Sequence, residues 1–253
     1  MSSPESRAVA PTRSDPSRLL YAAAALVLLT LTLLGFQEFY LRGQAYPAHP
    51  LAPPVKGLLI AHGVAMTAWI LLFFVQTLLV AGGNRKLHMT IGPVAFALVP
   101  VMIVLGLYLP TQTTRFEPDV TLWGLNRVHF MAVPWFSILT FGIFASLGIA
   151  YRRRLDIHRP MMLLATLAII AAAADRITGL PDLYAATIWG RLFGPFFTPV
   201  VVGVVFFAAK GLWTRSFDRW LASGLAAFVV ASVFIMRVAP TEPWARFAAF
   251  FVR

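Results

Sequence analysis

The chain has 253 residues, of which 59% are hydrophobic and only 12% charged, and its formal net charge is +11. Apolar runs this long and frequent belong to membrane spans rather than to one soluble core, and the basic residues fall in short clusters between the runs, not along an aromatic-laced stripe, which excludes nucleic acid as the partner. Cysteine is absent, which excludes disulfides, thiolate metal sites and cysteine nucleophiles.

Residues 1–18 are rich in Ser, Pro and Arg and read as a disordered tail. The apolar run 19–36 follows three arginines. No small-residue cleavage site comes after it, so it is expected to stay as a first helix. Residues 37–56 carry Pro47, Pro50, Pro53 and Pro54, which forbid a regular helix there. A second helix is predicted over 57–81, long enough at about 1.5 Å per residue to cross a hydrocarbon layer of about 30 Å. The turn GGNRK leads to a third helix over 88–109, with Pro100 as a kink. After a loop over 110–124, a fourth helix is expected over 125–151. The basic turn RRRLDIHR opens a fifth over 158–178, where Pro160 sits in the tolerant first turn. Helices over 193–212 and 217–238 follow, and the segment 239–253 alternates aromatics with arginines as an interfacial stretch does. Trp123, Trp189, Trp213, Trp220 and Trp244 fall at span ends, as in an interface belt.

The fold class is therefore all-α: a polytopic membrane protein of seven transmembrane helices, with the second to fifth as a core four-helix bundle. Counting loops from a cytoplasmic N-terminus places twelve of the 21 Lys and Arg inside. That bias predicts a bacterial inner-membrane protein with the N-terminus in the cytoplasm and the C-terminus outside.

Four histidines recur in a two-fold pattern. His62 and His129 lie about a turn and a half into the second and fourth helices, at similar outer depth. His88 and His158 lie at the inner ends of the third and fifth. In an up-down bundle these helices face each other diagonally, so each layer offers two imidazoles to one cofactor, as the axial ligands of a haem. On the second helix the face of His62 continues through Met66, Trp69, Phe73 and Gln76 at helical spacing, and Gly92 lies one turn beyond His88. Asn126, Arg127, Asp175 and Arg176 form a further polar group in the outer layer. Plainer roles exist for all of them. Headgroup-level histidines serve as interfacial or capping residues, deeper ones bond neighbouring helices, and Asp175 with Arg176 can tie down a helix end. No phosphate loop, dinucleotide fingerprint, zinc-protease or nucleophile-elbow motif is present.

The runs H-G-x2-M-x2-W (62–69), L-H-x3-G (87–92) and H-R-P-M-M-L-L-A-T (158–166) resemble uncharacterised bacterial seven-helix inner-membrane proteins, over most of the second to fifth helices. More distantly, the two-layer histidine plan is similar to that of transmembrane diheme b-type cytochromes of the ascorbate-reducible kind. That resemblance implies haem b held by His62 with His129 and by His88 with His158, electron transfer in the membrane, and an exchange partner such as a quinone or another electron carrier. The spacings here, 26 and 29 residues within the two copies, are shorter than that family's, and its substrate-binding residues have no counterpart. The alternatives are a non-catalytic accessory subunit of a larger membrane assembly, with no cofactor, and a small transporter.

Overall fold

The computed structural model describes residues 17–46 and 49–252; most of the expected N-terminal tail lies outside them. Six helical segments are long and apolar enough to cross a membrane: Ser17–Gly35, Lys56–Ala81, Val94–Phe116, Arg127–Ala150, Ile188–Thr214 and Arg219–Val238. The protein is all-α and suited to a membrane.

The first helix, α1 (Ser17–Gly35), is followed after Phe36 by the short α2 (Gln37–Arg42). The proline-rich stretch beyond it carries no helix, and Gln44–Tyr46 (β1) pairs antiparallel with His49–Pro50 (β2). After α3 (Lys56–Ala81), the Asn84 side chain accepts the Leu87 N–H at 3.1 Å and caps α4 (Arg85–Ile91). Gly92 and Pro93 separate α4 from α5 (Val94–Phe116), so the expected third helix is two pieces. It also runs on through Pro110, beyond the expected end at 109. The hydroxyls of Thr111, Thr113 and Thr114 donate to the carbonyls of Tyr108, Leu109 and Pro110, holding the turns around the missing N–H. A two-residue ribbon, β3 (Thr121–Leu122) and β4 (Leu125–Asn126), precedes α6 (Arg127–Phe130) and α7 (Ala132–Ala150).

The expected fifth helix is α8 (Leu155–Ile169) and a final turn, α9 (Ala171–Ala174), interrupted at Ile170. The uninterrupted α8, at 15 residues, falls short of the six spans, yet it is the hub of the molecule. Met161 and Leu163 to Ala168 are all buried. It packs against α7, α3 and α1, and against α11 (Phe197–Thr214) and α12 (Arg219–Val238), which follow α10 (Ile188–Phe193). Around this hub α1 packs on α3, α3 on α5, α5 on α7, α7 on α12, α12 on α11, and α11 back on α1. The C-terminal α13 (Glu242–Val252) lies against α5 and α6, where the Trp244 indole donates to the carbonyls of Val128 and His129.

Small residues permit this enclosure, because helices in lipid gain most from close van der Waals approach. A Cβ on Gly224 would come within 2.4 Å of Leu164 Cδ1 on the hub. A Cβ on Gly35 would come within 2.0 Å of the Ala173 carbonyl oxygen, which is backbone and cannot swing aside. Between the two ends, the buried Trp69 donates its indole N–H to Thr166 of α8 at 3.2 Å and meets Phe141 edge-on at 4.7 Å.

Gly35→Ala is expected to lower thermal stability, by about 1–3 kcal/mol, as overpacking at a rigid contact does. Gly57→Ala, at a position with nothing within 4 Å, is expected to leave it unchanged. Thermal unfolding of the detergent-purified variants measures both.

Candidate functional site

The helices splay at both ends of the hub and leave two cavities. At the end where Arg85, Arg152 and Arg153 cluster, the basic end, a cavity of about 560 Å³ is bounded by α1, α3, α4, the start of α5, the end of α7 and the start of α8. At the opposite end a cavity of about 240 Å³ is bounded by α1, α3, α5, α7 and the end of the α8–α9 segment. The inward stripe of α3 serves both. His62 and Met66 line the smaller cavity, and Trp69, Phe73 and Gln76 the larger.

His88 and His158 both line the larger cavity. Their ring centres are 6.4 Å apart and the ring planes lie at 79°. The Nδ1 of His158 is 2.8 Å from the Gly148 carbonyl oxygen, to which it donates. That bond fixes the tautomer and leaves Nε2 with its lone pair, as in metal-bound imidazoles. The Nδ1 of His88 is buried with no hydrogen-bond partner. Arg18, Arg85, Arg152, Arg153 and Arg159 line the same space, and among the described residues no Asp or Glu does. Arg159 donates to Ser17 at 3.2 Å, and Gln76 Nε2 reaches the His88 carbonyl at 3.3 Å. Gly92 lines the cavity too, with its Cβ position 3.0 Å from the His88 carbonyl oxygen. Next to Leu155 of the lining, Asp156 accepts from Arg154 at 3.0 Å and from the Trp220 indole.

The smaller cavity is lined by His62, Glu117, Arg127, Asp175 and Arg176. Arg127 pairs with Glu117. Arg176 donates to the Ala172 carbonyl at 2.7 Å and to the Tyr46 hydroxyl at 3.1 Å, and it stacks over the rings of Tyr46 and Phe36. Just past the end of α9, Asp175 accepts the Trp123 indole N–H at 2.8 Å. Burial pushes its carboxyl above the usual carboxylate range, partly offset by the Trp123 bond and the Arg176 charge.

His129 does not line this cavity with His62. Its Nδ1 lies 2.8 Å from Asn126 Oδ1, and its backbone N–H donates to the same oxygen at 3.0 Å, so Asn126 and His129 form the cap of α6. The structure thus brings together His88 with His158, and Arg127 with Asp175 and Arg176. It sets Asn126 and His129 apart from His62.

Among the described residues, six buried side-chain nitrogen or oxygen atoms have no hydrogen-bond partner. Arg18 Nε, Gln76 Oε1 and His88 Nδ1 belong to residues lining the larger cavity, and His62 Nδ1, Arg127 Nε and Arg176 Nε to residues lining the smaller. Each such atom costs about 1–3 kcal/mol when left unpaired, and none occurs away from the two cavities. Sequence reasoning missed Arg18, Arg85, Tyr46 and Phe36 as site residues; they come from separate segments, and no local spacing signals their convergence. No group of three or more His, Cys, Asp or Glu able to hold a bare metal ion occurs among the described residues. A cofactor bound through two imidazoles is compatible with that geometry.

Because burial disfavours the ionised form of Asp175, its contribution to stability is present below the unfolded carboxylate pKa and is lost as pH rises through the higher folded value. Asp175→Asn keeps an acceptor for Trp123 and removes the titration. The fall in Tm from pH about 4 upward is expected to be smaller in that variant than in the unmodified protein, as read from thermal unfolding across a pH series.

Comparison of the chain with protein-family models, with characterised proteins and with solved structures finds no match.

Proposed function

We propose that this protein binds haem b in the larger cavity, between His88 and His158, and carries electrons within the membrane. The observation that carries the reading is the 6.4 Å separation of these two rings on one cavity. Haem iron is held by imidazoles in many proteins, and His88 and His158 would be the residues to hold it here. The volume, about 560 Å³, lies within the range of cofactor pockets, about 300–1,000 Å³. The arginines that line the cavity suit the two carboxylates that such a macrocycle carries.

Bound there, the group would supply one-electron exchange. The chain's own residues have separable tasks. The Gly148 carbonyl orients the His158 ring, and the arginines hold and neutralise carboxylates. The apolar side chains of Trp69, Leu72, Phe73 and Met162 exclude water from the cavity's inner wall. His129 does not line the smaller cavity with His62, so the reading rests on the pair at the basic end and leaves the opposite pair out.

In this reading the α8–α9 segment is the fifth of seven crossings. It contributes His158 and Arg159 to one cavity, and Asp175 and Arg176, just past its end, line the cavity at the other. Helices α3, α5, α7 and α8, each packed on the next and α8 closing on α3, form the core bundle. The basic end, with Arg85, Lys86 and Arg152 to Arg154, faces the cytoplasm of a bacterial inner membrane, and the chain leaves with its C-terminus outside.

Visible spectra of the purified protein before and after dithionite test the proposal. A reduced b-type spectrum is expected, lost in His158→Ala and in His88→Ala and retained in His129→Ala. A colourless protein after expression with ample haem overturns it, and so does a spectrum that survives both inner substitutions.

A further inference from the structure

We infer that the smaller cavity binds the head group of a lipid-soluble quinone: a neutral, flat ring bearing two carbonyl oxygens. The inference is independent of the haem reading, since it concerns the opposite end of the molecule and other residues. Three nitrogens belonging to residues of this one cavity, His62 Nδ1, Arg127 Nε and Arg176 Nε, are buried without partners. The two guanidinium nitrogens only donate, so the missing ligand must present at least two acceptors; the His62 ring bonds the Leu105 backbone and leaves Nδ1 facing the same space. Away from Nε, Arg127 pairs with Glu117, and Arg176 donates to Tyr46 and to the Ala172 carbonyl.

Charge decides the class of acceptor. Arg127 and Arg176 are matched in this cavity by Glu117 and Asp175, so the site carries no net charge to hold a free anion. The walls are apolar: Met66, Ile70, Leu109, Phe130 and Ile138 offer faces to a ring, and the cavity is half-open. A neutral ring with two carbonyls satisfies the donors without leaving a buried charge unpaired. An isoprenoid tail extends from such a ring into lipid at no electrostatic cost.

Equilibrium binding of a radiolabelled decyl-tailed benzoquinone to the detergent-purified full chain tests the inference. Saturable binding at one per chain is expected. Arg127→Lys and Arg176→Lys keep the charge and remove the Nε donor, and each is expected to weaken binding about tenfold. Arg115→Gln, an exposed charge change outside the lining, is expected to leave it unaltered. Should either lysine variant fail to fold, an azido-substituted quinone is expected to cross-link the unmodified protein at cavity residues such as Met66 or Leu109. Binding that does not saturate, or is unchanged in both lysine variants, overturns the proposal. Displacement of the probe by benzoate assigns an anion site instead, displacement by phosphatidylcholine assigns lipid ester carbonyls, and either also overturns it. Because the readout is bound label, it stands or fails whatever the visible spectrum shows.

Discussion

The enclosure of α8 by its neighbours is the constraint on which the rest of the molecule depends. A helix whose residues from Leu163 to Ala168 are all buried must be approached closely by other helices. Within lipid that approach is driven by packing and by hydrogen bonds between helices, not by escape from water. Gly224 against Leu164 and Gly35 against the Ala173 carbonyl provide the approach. The Trp69 to Thr166 hydrogen bond pins α3 to the hub at the level where the two cavities divide.

Once the hub is enclosed, the ends of the α8–α9 segment become the sites. At one end the chain enters through His158 and Arg159, and the surrounding helices separate to leave the cationic cavity. At the other, the helix breaks at Ile170, and Asp175 and Arg176 lie beside Arg127 and His62 in a charge-balanced one. Six unpaired buried polar atoms, divided three and three between these spaces, distinguish them from ordinary packing gaps. An apolar protein can leave a void dry at modest cost, whereas a guanidinium nitrogen without an acceptor is costly wherever it is buried.

The two ends differ in chemistry as well as in size. Arg18, Arg85, Arg152, Arg153 and Arg159 line the larger cavity and give it a basic wall. A cavity in which each guanidinium is matched by a carboxylate selects by hydrogen-bond geometry instead. The stripe His62, Met66, Trp69, Phe73 and Gln76 on α3 contributes to both walls, so one helix face couples two unlike sites.

Much of the architecture is legible in the sequence, because apolar runs bounded by basic turns leave few alternatives for a chain in lipid. The inward stripe of α3 and the placement of His88 and His158 at one end follow from helical spacing alone. Other features were out of reach. The extension of α5 past Pro110 depends on threonine hydroxyls turned back onto the helix. The fate of His129 depends on whether Asn126 or a cavity claims its ring, and a capping bond three residues away prevails. The sequence by itself determined the helical class and the order of the long apolar helices, since these depend on local hydrophobicity and a fixed rise per residue. Only the tertiary structure decided that α8 is the hub and which polar atoms share a cavity, because both depend on contacts between residues far apart in the chain.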